Sequence, residues 1–332
     1  MKNDKLIKWG VLGPGVIARK FVSDIKHVKN AEVVAVGSRS IENAERFAQE
    51  FQIPRAYGSY EQLVQDTDVD IIYVATPHPA HKDNVMACLR AGKAVLCEKP
   101  FTINAQEAVE MIQYAKEAKL FLMEAMWTRF LPAVVKAREW LSTGRIGEVR
   151  MVKADFGFRI GWDPEHRLLN PQLGGGSLLD AGIYPISFAS MVFGEAPETI
   201  ASSSHIGKTG VDEHFSALFT YSGGRTASLN GAVRLQMRQD AFIYGTEGYI
   251  HIPNFLMAKS ADLFIDGDLE SSFTYDGEET GYAFEAAEAT RCIQEGLIES
   301  KIMPLSETLQ LMQTLDAIRQ QWGLTYPSEQ GR

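Results

Sequence analysis

Along the first 125 residues, short apolar runs rich in β-branched side chains alternate with longer segments in which apolar positions recur every three or four residues. The short runs predict strands at 7–12, 32–36, 71–75, 94–96 and 121–123. The longer segments predict amphipathic helices at 16–27, 41–51, 60–65, 79–91 and 105–118, each bounded by Gly, Pro, Asp or Asn. Strands alternating with helices imply βαβ units and a doubly wound parallel sheet. After a helical stretch at about 130–143 the texture changes. Strand patterns at 149–157, 198–206, 213–221, 225–234, 240–251, 261–265 and 270–275 follow one another, with turn signals at Ser222-Gly223-Gly224 and Asp266-Gly267. Helical patterns at 281–298 and 305–322 and a short polar tail close the chain. The expected class is α/β, with an N-terminal doubly wound domain at 1–125 and a C-terminal α+β domain at 126–332 built on a large, open, mainly antiparallel sheet.

In the run at 213–221, His214, Ser216 and Leu218 oppose Phe215, Ala217 and Phe219, so apolar groups fall on both faces of the strand. Helices on one face and a second subunit on the other would cover them, which predicts a homodimer or homotetramer.

Composition narrows the partners. With 332 residues, 45% hydrophobic and 23% charged, the chain can bury a core, exceeds the usual size of one domain and is neither disordered nor collagen-like. It has 33 Lys+Arg against 42 Asp+Glu, a net charge of -9, and no basic block, which argues against nucleic acid. Cys88, Cys97 and Cys292 are odd in number and irregularly spaced, fitting neither a disulfide framework nor a zinc site. No signal-peptide pattern and no charge-free apolar run long enough for a bilayer is present, so a soluble cytoplasmic protein without a membrane partner is expected.

The segment from Gly10 to Ala18, with Gly13 and Gly15 between the first strand and the first helix, has the G-x-G-x-x-A form of a Rossmann dinucleotide turn. Gly13 allows the tight turn, and Gly15, Val16 and Ile17 bring backbone to the pyrophosphate at a helix N-terminus. The second strand ends Gly37-Ser38-Arg39, without the carboxylate that NAD binders place on the ribose. Ser38 and Arg39 suit a 2'-phosphate, so NADP is expected over NAD.

Two further segments carry chemistry. Glu98-Lys99-Pro100 follows a strand, so it emerges where ligands bind in such sheets, and Pro100 holds Lys99 extended with the option of a cis bond. In Gly174-Gly175-Gly176-Ser177 and onward, Ser177 reads as an N-cap that puts Asp180 and Tyr184 one turn apart on one helical face. Hydride transfer at a carbinol needs a group to exchange the hydroxyl proton. A phenol does so once its pKa falls from about 10, and a Lys99 ammonium nearby would favour the phenolate. Asp180 would hold the substrate or the lysine. The turn Thr76-Pro77-His78-Pro79-Ala80-His81 lies at the same sheet edge; its two histidines lack further ligands, so no metal is expected.

Together these motifs resemble the glucose-fructose oxidoreductase/inositol dehydrogenase/MocA family (Gfo/Idh/MocA), and they do so in order along nearly the whole chain. The resemblance implies catalytic roles for Lys99, Asp180 and Tyr184, and cofactor contacts at Thr76, Pro77, His81, Glu98 and Lys99. Tyr184 stands where the inositol dehydrogenase branch has His. The stretches from Glu124 to Pro132 and from Arg167 to Pro171 are similar to the dimeric dihydrodiol dehydrogenases and NADP-dependent D-xylose dehydrogenases of that family, which implies a sugar or cyclic vicinal diol as substrate. Trp127 and Phe158 would then wall the pocket. The alternative is a dinucleotide-binding sensor of the same fold that regulates a partner without turnover, but such a sensor has no reason to keep Lys99, Asp180 and Tyr184.

Overall fold

The computed structural model describes residues 5–329; residues 1–4 and 330–332, the end of the expected polar tail, lie outside the described residues. The chain divides into two compact units, the first made of 1–127 and 279–309, the second of 128–278 and 310–332.

The first unit is built on six parallel strands, β1 (Ile7–Leu12), β2 (Ala31–Gly37), β3 (Arg55–Tyr57), β4 (Ile71–Val74), β5 (Ala94–Glu98) and β6 (Leu122–Ala125), in the order β3-β2-β1-β4-β5-β6. The connections are α1 (Val16–Ile25), α2 (Ile41–Phe51), α3 (Tyr60–Val64), α4 (His81–Arg90) and α5 (Ala105–Ala118). Strand order reverses at β1 and β4, the switch point where open α/β sheets bind ligands. Every residue of β4 and β5 is buried, as strands covered on both faces require. The three-residue β3 has no apolar run to reveal it; it pairs at the sheet edge with all three residues half-buried.

The second unit starts with α6 (Pro132–Ser142) and carries an eight-stranded sheet: β7 (Val149–Gly157), β8 (Thr199–Ile206), β9 (Asp212–Tyr221), β10 (Arg225–Ala232), β11 (Ala241–Gly245), β12 (Gly248–Ile252), β13 (Ser260–Ile265) and β14 (Asp268–Thr274). The order is β14-β13-β12-β11-β7-β10-β9-β8, antiparallel throughout except for the pair β7 and β10. The run at 240–251, which reads as one strand, is the hairpin β11–β12, turning at Thr246-Glu247 without an Asn-Gly type signal. A helix, α7 (Ile183–Phe193), preceded by a π-helical turn over Leu178–Gly182, packs on β7 and β10. Pro185 has no N–H to give the Ala181 carbonyl, which accounts for the widened turn just before it. By length and composition Pro171–Phe193 matches a membrane-crossing helix, but it is mostly buried and serves as the core helix of this unit.

The last helices depart from the simple boundary near 125. Helix α8 (Gly281–Gln294) belongs to the first unit, and α9 (Leu305–Trp322) runs across the change of unit at 309/310. Asp24 of α1 accepts hydrogen bonds from Thr280 N (3.1 Å), Thr280 Oγ1 (2.6 Å) and Ala283 N (2.6 Å), capping α8 on α1. A stripe of small residues, Ala283, Ala286 and Ala289, gives α8 a buried face.

Candidate functional site

Each unit carries its own group of expected residues. In the first, the turn after β1 is open where a phosphate would need it. Gly13 has φ +96°, and a side chain on it would stand 3.1 Å from Thr76 Cγ2 and 3.2 Å from Ala75 O, so only glycine lets the turns after β1 and β4 meet. At Gly15 an added Cβ would find only Ala75 O, at 3.9 Å. Helix α1 starts with no side-chain cap and no acidic residue in its first turn, and Val16 is 73% exposed while Ile17 is half-buried. Uncapped N–H groups, the positive end of the helix dipole and free space make this edge fit for a pyrophosphate.

Beside it, Ser38 is buried with Oγ accepting from Ser40 N (3.3 Å), while Arg39 is exposed next to the Tyr60 hydroxyl. Glu42, the nearest carboxylate along the chain, accepts from Ser40 Oγ (2.5 Å), which lowers its pKa. Pro77 is exposed, and the buried Thr76 accepts from Asn84 Nδ2 (3.0 Å).

Two residues expected at the cofactor are buried. His81 is fully buried, its Nε2 2.7 Å from Thr76 O and its Nδ1 2.9 Å from Pro100 O. Its ring bridges the Thr76 turn and the Lys99-Pro100 turn. Glu98 is also buried: its carboxylate accepts from the Tyr73 hydroxyl and from Lys99 N (3.2 Å). The Lys99-Pro100 peptide is cis, and Lys99 is half-buried. Near Glu98 lies Glu285 of α8, fully buried, with neither carboxylate oxygen hydrogen-bonded among the described residues. Burial, then the charges of Glu98 and Asp24, push its carboxyl well above the usual range. Nothing in the sequence around Glu285 marks it. Trp127, expected at the pocket wall, is buried in the first unit, its ring centroid 5.5 Å from that of Tyr282, and a Cβ on Gly281 would sit 2.1 Å from it.

In the second unit, the glycine segment leads into the π turn and α7. Asp180 is buried and its Oδ1 accepts from Arg167 Nη1 at 2.9 Å, so the charge partner of Asp180 comes from the loop that precedes the glycines. Tyr184 is buried edge-on to Phe156, with centroids 5.5 Å apart at 90°, and Phe156 in turn meets the half-buried Phe158 at 5.6 Å. Ser177 is not the expected N-cap. Its backbone is helical, and its hydroxyl donates to Asp212 Oδ2 (2.7 Å), which also accepts Leu178 N (2.6 Å). The cap therefore comes from β9, 35 residues away, where no motif signals it. Among the described residues no three His, Cys, Asp or Glu side chains converge as metal ligands.

Residues 7–126 match an oxidoreductase family with an NAD-binding Rossmann fold, and residues 134–251 match the GFO/IDH/MocA C-terminal domain. The chain belongs to the GFO/IDH/MocA family. Trans-1,2-dihydrobenzene-1,2-diol dehydrogenase of Xenopus tropicalis is 39% identical over 96% of this chain and 99% of its own, and the Homo sapiens protein of that name is 37% identical over 97% and 99%. Among solved structures, the aldose-aldose oxidoreductase from Caulobacter crescentus complexed with glycerol superposes with a TM-score of 0.87 at 25% identity, covering 99% of both chains. KijD10, a 3-ketoreductase from Actinomadura kijaniata in complex with NADP and TDP-benzene, superposes at 0.84 with 27% identity, covering 95% of this chain and 97% of that one. As a member of the GFO/IDH/MocA family, the chain is an NAD(P)-binding oxidoreductase.

Proposed function

We propose that this protein is an NADP-dependent oxidoreductase acting on a carbinol or carbonyl carbon of a sugar or cyclic vicinal diol. Gly13, Gly15, Val16 and Ile17 would hold the pyrophosphate, and Arg39 the 2'-phosphate, with Thr76, Pro77 and Lys99 further along the dinucleotide. When bound, the nicotinamide supplies or accepts the hydride at C4. As a carbinol is oxidised, its hydroxyl proton passes to the Tyr184 oxygen; in reduction Tyr184 returns that proton to the forming alkoxide. The Lys99 ammonium stabilises the negative oxygen during the exchange, and Asp180, fixed by Arg167, holds the substrate hydroxyls.

The observation that carries this reading is the pairing of Asp180 with Arg167 ahead of a Tyr184 buried edge-on to Phe156, an ordered polar and aromatic segment suited to a polyol ring. The relatives named for a dihydrodiol and the solved neighbours named as an aldose-aldose oxidoreductase and a 3-ketoreductase support the substrate class. Replacing Tyr184 by Phe should lower kcat by about 10²–10⁴-fold while leaving NADPH affinity within a factor of two, with Lys99→Met acting in the same direction. Normal turnover of Tyr184→Phe with a panel of aldoses, diones and diols would sink the assignment.

The open face of the eight-stranded sheet supports a second copy as partner. Phe242, Tyr244, Tyr249, His251 and Phe264 form a continuous aromatic run there, with neighbouring centroids 4.3–5.8 Å apart, and Leu218 on the same sheet is 51% exposed. Sedimentation should give a homodimer or homotetramer, and Phe264→Glu should shift it toward monomer. The three free, buried thiols suit a reducing cytoplasm.

A further inference from the structure

We propose that Asp212 is a positioning residue for the reaction: its carboxylate anchors the start of the segment that bears Asp180 and Tyr184, and neutralising it unseats that segment. The proposal rests on the catalytic reading of Tyr184.

Asp212 opens β9 and is fully buried. Its Oδ2 accepts the Ser177 hydroxyl and the Leu178 N–H, the first free donor of the π turn. Its Oδ1 lies 2.3 Å from where a Cβ on Gly176 would stand, and Gly176 has φ +122°, so the loop leaves out a side chain where this carboxylate passes. That Oδ1 accepts no hydrogen bond among the described residues. On the same side of Gly176, Tyr326 Oη stands 3.2 Å from that Cβ position and donates to Gly175 O at 2.7 Å. Asp180 follows Leu178 by two residues and Tyr184 by six, so a shift of the anchored turn is carried directly to both side chains.

The ionisable groups around this carboxylate are few. Tyr326 faces it, with the Arg319 guanidinium 5.2 Å above the Tyr326 ring and Glu329 paired to Arg319; Asp180 contributes a further negative charge nearby. Among the described residues no cation hydrogen-bonds to Asp212, and burial raises its carboxyl to about 6 against the lowering effect of its donors. Above that pH the charged form holds the turn. Below it, proton uptake weakens the anchor but relieves a buried charge. Since the folded pKa exceeds the unfolded one, this group's contribution to stability is largest in acid and is lost as pH rises through about 6. Activity and stability thus respond to Asp212 in opposite directions.

The test compares Asp212→Asn and Ser177→Ala with the unaltered full chain, using NADP+ with D-xylose as the carbinol substrate and NADPH with a vicinal dione as the carbonyl substrate, from pH 5 to 9. The unaltered protein should show an acid limb in kcat/KM near pH 6. In Asp212→Asn that limb should vanish, with kcat down on the order of tenfold and NADPH affinity, read by fluorescence, unchanged. Its thermal midpoint without cofactor should exceed that of the unaltered protein at pH 8, the gap closing toward pH 5. Ser177→Ala, which removes one donor to the anion, should move the limb to higher pH. A limb unmoved in both variants, or an Asn variant less stable at pH 8 with an unchanged pH profile, overturns the proposal. The midpoint-versus-pH comparison reads Asp212 alone, so it stands or fails separately from Tyr184→Phe.

Discussion

The two units each place a glycine-rich loop ahead of a helix, and the two loops end in opposite ways. Before α1, the loop through Gly13 and Gly15 leaves the helix start uncapped, with open space at Gly15 and an exposed Val16. Before α7, the loop Gly174-Gly175-Gly176 is buried and its first free donor is met by the carboxylate of Asp212. A helix N-terminus attracts an anion in either case. In the first unit no side chain among the described residues supplies that anion. In the second the protein supplies its own, and the glycines clear room for that carboxylate rather than for a phosphate. Glycine-rich sequence ahead of a helix therefore indicates close backbone approach, and the burial of the loop tells whether a ligand or a side chain makes it.

Swapping side chains into the two loops should expose the difference. Gly176→Ala must place a methyl group at positive φ and against Asp212 Oδ1, so it should destabilise the second unit by about 2–4 kcal/mol in denaturant unfolding. Gly15→Ala, at φ -84° with no neighbour closer than 3.9 Å, should leave stability within about 0.5 kcal/mol yet weaken NADPH binding. Equal losses of stability in both would erase the distinction. A smaller effect is expected at the end of β2, where Arg39→Ala should weaken NADPH by about 10–100-fold and leave NADH unchanged, as measured by fluorescence titration. A parallel loss for both cofactors would remove Arg39 from the 2'-phosphate.

The smallest effect concerns the buried acids of the two units. Glu285, raised by burial and by Glu98 and Asp24, contributes stability that is present in acid and lost as pH rises through its elevated folded pKa. Glu285→Gln should therefore flatten the dependence of the unfolding midpoint on pH and stabilise the protein at pH 8 by on the order of 1 kcal/mol. Because Glu285 lies in the first unit, this change should leave the acid limb near pH 6 in place.

Local pattern was enough for most of the elements. The β-branched runs and 3.6-residue periodicity of the first 125 residues correspond to β1, β2, β4, β5, β6 and α1 to α5, because each of those elements buries a face whose spacing is written in its own residues. β3 escaped because an edge strand of three half-buried residues has no pattern, and the β11–β12 turn because Thr246-Glu247 lacks the residues that usually mark one. At the site, Gly13, Gly15, Lys99, Asp180 and Tyr184 stand out through spacing beside glycine or proline. Trp127, Glu98 and His81 are legible as members of motifs, while their neighbours Tyr282, Tyr73 and two backbone carbonyls come from the fold.

By itself, the sequence determined the α/β class, the dinucleotide turn and its open helix start, and the order of the motifs, since each depends on residues within a few positions of one another. The tertiary structure decided what depends on distant partners. It gave α8 to the first unit through the Asp24 cap, paired Asp180 with Arg167 across the glycine loop, and brought Asp212 from β9 to the start of the segment that bears Asp180 and Tyr184. Those choices belong to tertiary structure because a buried polar group must be satisfied by whatever donor or acceptor the fold carries to it, and neighbours in space leave no spacing along the chain.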